Sequence, residues 1–547
     1  MNVLHSIRRA PLYAFALLLA VIVVPPTHDF PLNDDWVYAT MVRWHLDGHF
    51  AVHPYSSAFA FSQTIWGALW SLVLGYSYTT LRVSTLALAV LAAWAVAQSA
   101  REAGASRWAS RCAGLVLVAN PIFLNLAYTF MTDVPFIACL ALSVLFHLRL
   151  LRRASAKTAV GASLLATAAF LDRQFGLLIP VAFTLALAMT WRRIYLRDSI
   201  CISLAYIAPW LVAIPIALWL TYTQDMVFYP SEAVSGLRTP DAAMTLVFAT
   251  ITTLTLGLFL LPVTLPTPLR WSRRRAYVFA CTLGLMLGML PLLGPLPLFP
   301  NILRDFGVGP LLLRDATVFN RDWSPFRAGP LFWWPLTVLA ALSAAFFVAS
   351  QIAMRHKARR VHRIRTTQRF FLLVLALLLI VAPAIPAHSV YFDRYLLPTF
   401  ALLLILAAAP RSARIASPSS RSRKATLILC ALSYAFSIVS LQDYLAWNRA
   451  RWQAVDVLRV VHNVPDTQID GGYEFNGIYT SDAYMARLRA GEDLGGRGWW
   501  VVDDAYAVSF LPRDGYEEID RVAYTSWLGF TQRHILILKR KADSLSN

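Results

Sequence analysis

Apolar runs of membrane-spanning length recur along most of this chain. They fall at roughly 10–25, 79–99, 109–125, 134–150, 158–172, 174–191, 199–222, 242–265, 276–298, 330–353, 370–387, 395–410 and 425–441. About thirteen helical spans are expected from this pattern. The runs 158–172 and 174–191 are short and nearly continuous, which predicts two helices with a tight turn at Leu171-Asp172-Arg173-Gln174. Residues 57–77 are also apolar and read as a further span or a re-entrant segment. From about 442 the pattern changes. Ala450 to His462 has the spacing of an amphipathic helix, and Gly498-Trp499-Trp500-Val501-Val502 and His534-Ile535-Leu536-Ile537-Leu538 read as strands. The fold class expected is an α-helical polytopic membrane module over 1–441, with a first outer loop at about 26–78. A small α/β domain over 442–547 follows it.

Composition agrees with a membrane module. Hydrophobic residues make up 58% of the 547 residues and charged residues only 14%, against nearer a quarter charged in soluble chains. The net charge of +19 would suit a nucleic-acid partner if it were clustered in a soluble domain, but it sits in short loops between apolar runs. Arg101/Arg107/Arg111, Arg149/Arg152/Arg153/Lys157, Arg192/Arg193/Arg197, Arg270/Arg273/Arg274/Arg275, the basic stretch from Arg355 to Arg369 and that from Arg411 to Lys424 occupy alternate loops. The positive-inside rule then puts the N-terminus in the cytoplasm and the C-terminal domain outside. The expected location is a membrane crossed many times, with the C-terminal domain on its extracytoplasmic side. The run after Ile7-Arg8-Arg9 lacks a small-x-small cleavage site and reads as an uncleaved first span. Cys112, Cys139, Cys201, Cys281 and Cys430 lie in apolar runs without metal spacing and are expected as small core residues.

The chemistry-bearing residues gather on the outer side. Asp34-Asp35 follow the first span, Asp133 lies at the outer end of the third, and Asp172-Arg173 and Asp393-Arg394 sit in later outer turns. Arg82 enters the second span from the same side. Ionisable groups at span ends are costly to bury unpaired and often mark function. A carboxylate here can take a proton from an attacking hydroxyl, and arginines can hold a phosphate with forked hydrogen bonds. The plainer readings are equally specific. One of Asp34-Asp35 can cap the helix 36–46, Asp133 can simply end a span, and the two Asp-Arg neighbours can be structural ion pairs. His28 and His53 read as polar loop residues, and the outer loop 299–330, with Gly307-Val308-Gly309-Pro310 and Arg314-Asp315, as a lid or a plain connector.

The ordered set Leu32-Asn33-Asp34-Asp35-Trp36, Thr80-Leu81-Arg82-Val83-Ser84, Phe130-Met131-Thr132-Asp133-Val134-Pro135 and Phe392-Asp393-Arg394-Tyr395-Leu396-Leu397-Pro398 resembles the GT-C membrane glycosyltransferases. The branch it looks like is that of the protein O-mannosyltransferases and the lipid A aminoarabinose transferases. The resemblance covers about 1–410 and the outer tail. It implies a polyprenyl-phosphate-sugar donor, an extracytoplasmic site and inversion at the anomeric carbon. It also implies a base at Asp34, with Asp35 standing where the mannosyltransferase version often has Glu. Asp133 would orient the acceptor or, as in some relatives, touch a divalent ion. Arg82, Arg173 and Arg394 would bind the donor phosphate, with Asp172, Asp393 and Tyr395 in support. No cofactor is implied with certainty, and a divalent metal stays open. The acceptor would be a lipid, lipopolysaccharide or envelope glycan. The rival readings are a flippase for lipid-linked sugars, a polysaccharide ligase or polymerase, and a non-catalytic scaffold.

Overall fold

The computed structural model describes residues 12–188, 199–222, 242–269, 271–303, 330–352, 360–384, 391–409, 419–494, 499–528 and 530–542. The loop motifs Gly307–Pro310 and Arg314-Asp315 and the basic stretch 192–197 lie outside the described residues.

The chain is a polytopic helical membrane protein with a small C-terminal sheet. Each of the apolar runs coincides with a helix. Eight helices among the described residues are long and apolar enough to cross a membrane, or nine with the bent pair Arg107–Val118 and Pro121–Ala127 taken as one span. Shorter apolar helices, Leu12–Val23 and Gln174–Ala188, account for further runs. The bend of that pair, 66°, has a local cause. Asn120 accepts from the Ile122 and Phe123 amides and Pro121 takes the first helical position, so a new helix starts there. Between Ala156–Asp172 and Leu178–Ala188 stands only a tight turn over Gln174–Leu177, as the sequence pattern requires. The apolar stretch 57–77 contains a helix of 14 residues, Phe61–Leu74, shorter than a span.

Two cysteines depart from the expectation. Cys112 and Cys430 are buried and Cys139 half-buried, but Cys201 and Cys281 are exposed on span helices. A small, weakly polar side chain costs little on a surface that faces lipid. At the opposite end from the acids, Glu102 pairs with Arg149 and Arg152, both at 3.1 Å.

The last span does not stop at 441. The helix Ser420–Asp456 runs 37 residues through the expected boundary and ends in a wide turn at Val457–Val461, so the amphipathic segment 450–462 is its continuation. Beyond it lie a four-stranded sheet and two short helices, Tyr473–Tyr479 and Ser481–Arg489. The strands are β1 (Ile469–Asp470), β2 (Tyr506–Ser509), β3 (Tyr516–Ser526) and β4 (Thr531–Arg540), in the order β1-β2-β4-β3. β1 and β2 are parallel and the other pairs antiparallel. The strand expected at 534–538 is part of β4. The one expected at 498–502 is not formed: Gly498 is outside the described residues, and Trp499-Trp500 form a turn. Asn476 donates to the Trp499 carbonyl at 3.3 Å and Thr480 to that of Trp500 at 2.6 Å, and Trp500 has φ of 54°. Side chains therefore take the carbonyls that a sheet would have used.

Candidate active site

Asp34 occupies the N-cap position of the helix Asp35–Leu46, yet its carboxylate makes no capping bond. It turns to two partners distant in sequence. The Tyr473 hydroxyl donates to Asp34 Oδ1 at 2.8 Å, and Arg394 Nη2 lies 3.6 Å from Oδ2. Asp133 opens the helix Asp133–Arg152 and lies between two guanidiniums. Arg173 Nη1 is 3.0 Å from its Oδ1 and Arg394 Nη1 is 3.8 Å from its Oδ2. Arg173 Nε also donates to the Thr132 hydroxyl at 2.8 Å. The result is a chain of alternating charge, Asp34–Arg394–Asp133–Arg173. Tyr395 stands between the two arginines, each guanidinium 5.9 Å from its ring centre. The side chain of Asp133 is 1% exposed and that of Asp34 25%. Asp34 is therefore the more accessible of the two carboxylates.

Asp35, its neighbour, has a different environment. It is fully buried and accepts from the Phe130 amide at 2.8 Å. Burial pushes its carboxyl up to about 8, against the opposing pull of Arg82 and of that amide. This shift favours the neutral acid, and the bond to the Phe130 amide ties the first loop to the segment before Asp133. Asp393 is also buried. Its oxygens accept from the amides of Ile302 at 3.1 Å and Leu303 at 2.6 Å. Burial raises it to about 7, with those amides and Arg394 opposing. The Asp-Arg neighbours thus divide their work: Arg173 and Arg394 enter the charge chain, while Asp393 fastens the strand of chain before 304. Asp172 is buried and its carbonyl accepts from the Ala60 amide at 2.9 Å.

Arg82 stands outside the group. Its two terminal nitrogens donate to the His28 and Phe30 carbonyls, and its guanidinium lies over the Phe30 ring. It shapes the start of the first loop. His28 meets Arg449 at 2.8 Å, and burial, with the Arg449 and Arg82 charges, lowers its imidazole to about 4. His53 packs against Trp36 and Trp44, and burial lowers it likewise to about 4. Among the described residues no group of three or more His, Cys, Asp or Glu could hold a metal ion. A carboxylate flanked by two guanidiniums, as Asp133 is, suits an anion beside it better than a cation.

Sequence reasoning missed the contribution of the C-terminal domain. Beside Tyr473, Glu474 accepts from the Asn33 amide at 2.7 Å and pairs with Arg451 at 2.6 Å. Asn33 itself has φ of 59°, so Glu474 braces a strained residue next to Asp34. The pair Gly471-Gly472 carried the available signal. Gly472 has φ of 91°, and a Cβ there would stand 2.7 Å from Arg451. At Gly477 a Cβ would stand 2.4 Å from the Trp36 ring, which marks the close seat of this helix on the first loop.

Residues 64–219 match the family model described as dolichyl-phosphate-mannose-protein mannosyltransferase. Over that stretch, under a third of its length, the chain is similar to the protein mannosyltransferases. Comparison with curated proteins gives no match. Among solved structures, ArnT from Cupriavidus metallidurans bound to undecaprenyl phosphate is 14% identical, covering 97% of this chain and 98% of that one, with a TM-score of 0.43. The S. cerevisiae protein O-mannosyltransferase Pmt1–Pmt2 complex bound to the sugar donor is 13% identical over 39% of this chain and 33% of that one, with a TM-score of 0.32. This chain therefore spans about a third of the yeast chain. The arabinofuranosyltransferase AftD from mycobacteria is 13% identical over 97% of this chain and 39% of that one, with a TM-score of 0.32.

Proposed function

We propose that this protein transfers a sugar from a polyprenyl-phosphate carrier to a hydroxyl or phosphate of an envelope lipid, lipopolysaccharide or glycan, with inversion at the anomeric carbon. The observation that carries the reading is the partly exposed Asp34 joined through Arg394 to Asp133 and Arg173. Asp34 accepts the proton of the acceptor hydroxyl as its oxygen bonds to the anomeric carbon. The bond from that carbon to the phosphate oxygen breaks on the opposite side. Arg394 and Arg173 hold the departing phosphate, whose negative charge grows as the bond breaks. Asp133 keeps both guanidiniums aimed, and Tyr395 keeps their planes apart. Asp35 positions the loop and is not the base, because it is fully buried and out of reach of an acceptor hydroxyl. In this reading 1–441 is the catalytic module and the remainder a periplasmic cap that contributes Tyr473 and Glu474. The N-terminus is cytoplasmic and the membrane is the bacterial inner membrane.

A flippase would need its charges along a path through the bundle. The interacting acids and arginines Asp34, Asp133, Arg173 and Arg394 gather instead beside the first loop and Tyr473 of the C-terminal domain. Mass spectrometry of envelope glycolipids and glycans tests the proposal, using cells with the protein, without it, and with Asp34→Asn. A species lighter by one sugar in the last two strains is expected. Identical masses in all three, with the protein present in the membrane, would remove this function.

A further inference from the structure

The last membrane helix passes directly into the C-terminal domain, and one buried carboxylate marks the transition. Asp443 lies just beyond the apolar run that ends at Leu441. It accepts from the Trp527 amide at 2.6 Å, the Leu528 amide at 3.0 Å and the Ser526 hydroxyl at 3.0 Å. These residues begin the turn between β3 and β4. At ~1.5 Å per residue, Asp443 stands about 3 Å past Leu441. The headgroup layer outside the hydrocarbon core is about 5–7 Å thick. Asp443 therefore pins the turn at headgroup depth.

A second helix gives the same level. The Tyr434 hydroxyl donates to the Ala16 carbonyl, so Leu12–Val23 runs alongside. Its exposed apolar residues continue to Ile22 and Val23, and Val23 lies as far past Ala16 as Leu441 lies past Tyr434. The turn itself displays aromatic side chains. Trp527 is 39% exposed and Phe530 94%. Phe530 also holds φ of 47°, a left-handed conformation that a bulky side chain rarely adopts.

We propose that this turn inserts Trp527 and Phe530 into the leaflet at the C-terminal end of the last span. Aromatic residues favour that boundary, where a ring reaches acyl chains while the backbone keeps polar partners. The occupant of the patch is lipid. The domain then has two membrane attachments, the continuous helix and the turn, which together fix how Tyr473 and Glu474 sit over the first loop. This holds whether or not the chain transfers sugar.

The test uses full-length protein in nanodiscs of phosphatidylethanolamine and phosphatidylglycerol. A photoreactive benzoylphenylalanine replaces Phe530 in one sample and Glu517 in another. Glu517 is an exposed residue of β3, about 30 Å along the strand from the turn. Lipid adducts at 530 are expected at ten or more times the yield at 517. Equal yields at the two positions overturn the proposal. So does cross-linking of 530 to a second protein chain in place of lipid.

Discussion

Asp35→Asn separates a protonated structural acid from an ionised one. Asn keeps the shape of the neutral acid and can still accept from the Phe130 amide. The sign follows from the raised value, about 8 against an ordinary 3.8. Between those limits the folded protein holds a proton that the unfolded chain has released. Stability therefore falls as pH rises through that window, by at most about 1.4 kcal/mol per pH unit. From pH 5.5 to 7.5 the wild type should lose up to about 2.7 kcal/mol through this group, and the variant none. The assay is thermal unfolding in detergent at matched scan rates, with the pH slope of the variant subtracted from that of the wild type. A variant with a flatter slope, and at neutral pH as stable as the wild type or more so, is expected. If Asp35 were instead ionised against Arg82, Asn would strand a buried guanidinium at a cost of about 3–5 kcal/mol. A variant that much less stable at both pH values would refute the reasoning.

The remaining predictions concern the site and its cap. Tyr473→Phe removes the hydroxyl bond to Asp34 and should cost roughly tenfold in kcat/KM, as expected for one hydrogen bond to a charged group; steady-state transfer kinetics at unchanged thermal stability check it. Arg394→Lys cannot serve Asp34 and Asp133 together, and a loss of about tenfold or more in apparent donor affinity is expected from donor titration. Asp443→Ala leaves the Trp527 and Leu528 amides without their acceptor. It should destabilise the domain by about 2–4 kcal/mol, read as faster limited proteolysis after the last span.

Much of the fold was legible because lipid imposes a simple rule. Every apolar run had to become a helix, and each did. The acids and arginines at span ends were legible too, since charge there stands out against an apolar background. Their pairing was not. Asp393 and Arg394 are neighbours in sequence, but they open a tight helical turn over Asp393–Leu396. With about three residues per turn, adjacent side chains there diverge, so each found a different partner. The same holds for Asp34 and Asp35 at a helix start, where one carboxyl faces out and the other in. Tyr473 and Glu474 reach the site across hundreds of residues, a contact that no local periodicity encodes. Trp499-Trp500-Val501-Val502 looked like a strand because its composition is that of one. Thr480 and Asn476, binding the carbonyls from outside the segment, decided otherwise.

The most direct test of the account is transfer by purified protein in liposomes from a polyprenyl-phosphate sugar, comparing wild type with Asp34→Asn. The predicted result is a turnover lowered by about 10²–10⁴-fold in the variant, the loss expected for a general base, with donor binding retained. Transfer at the wild-type rate by a correctly folded Asp34→Asn protein would contradict the central claim.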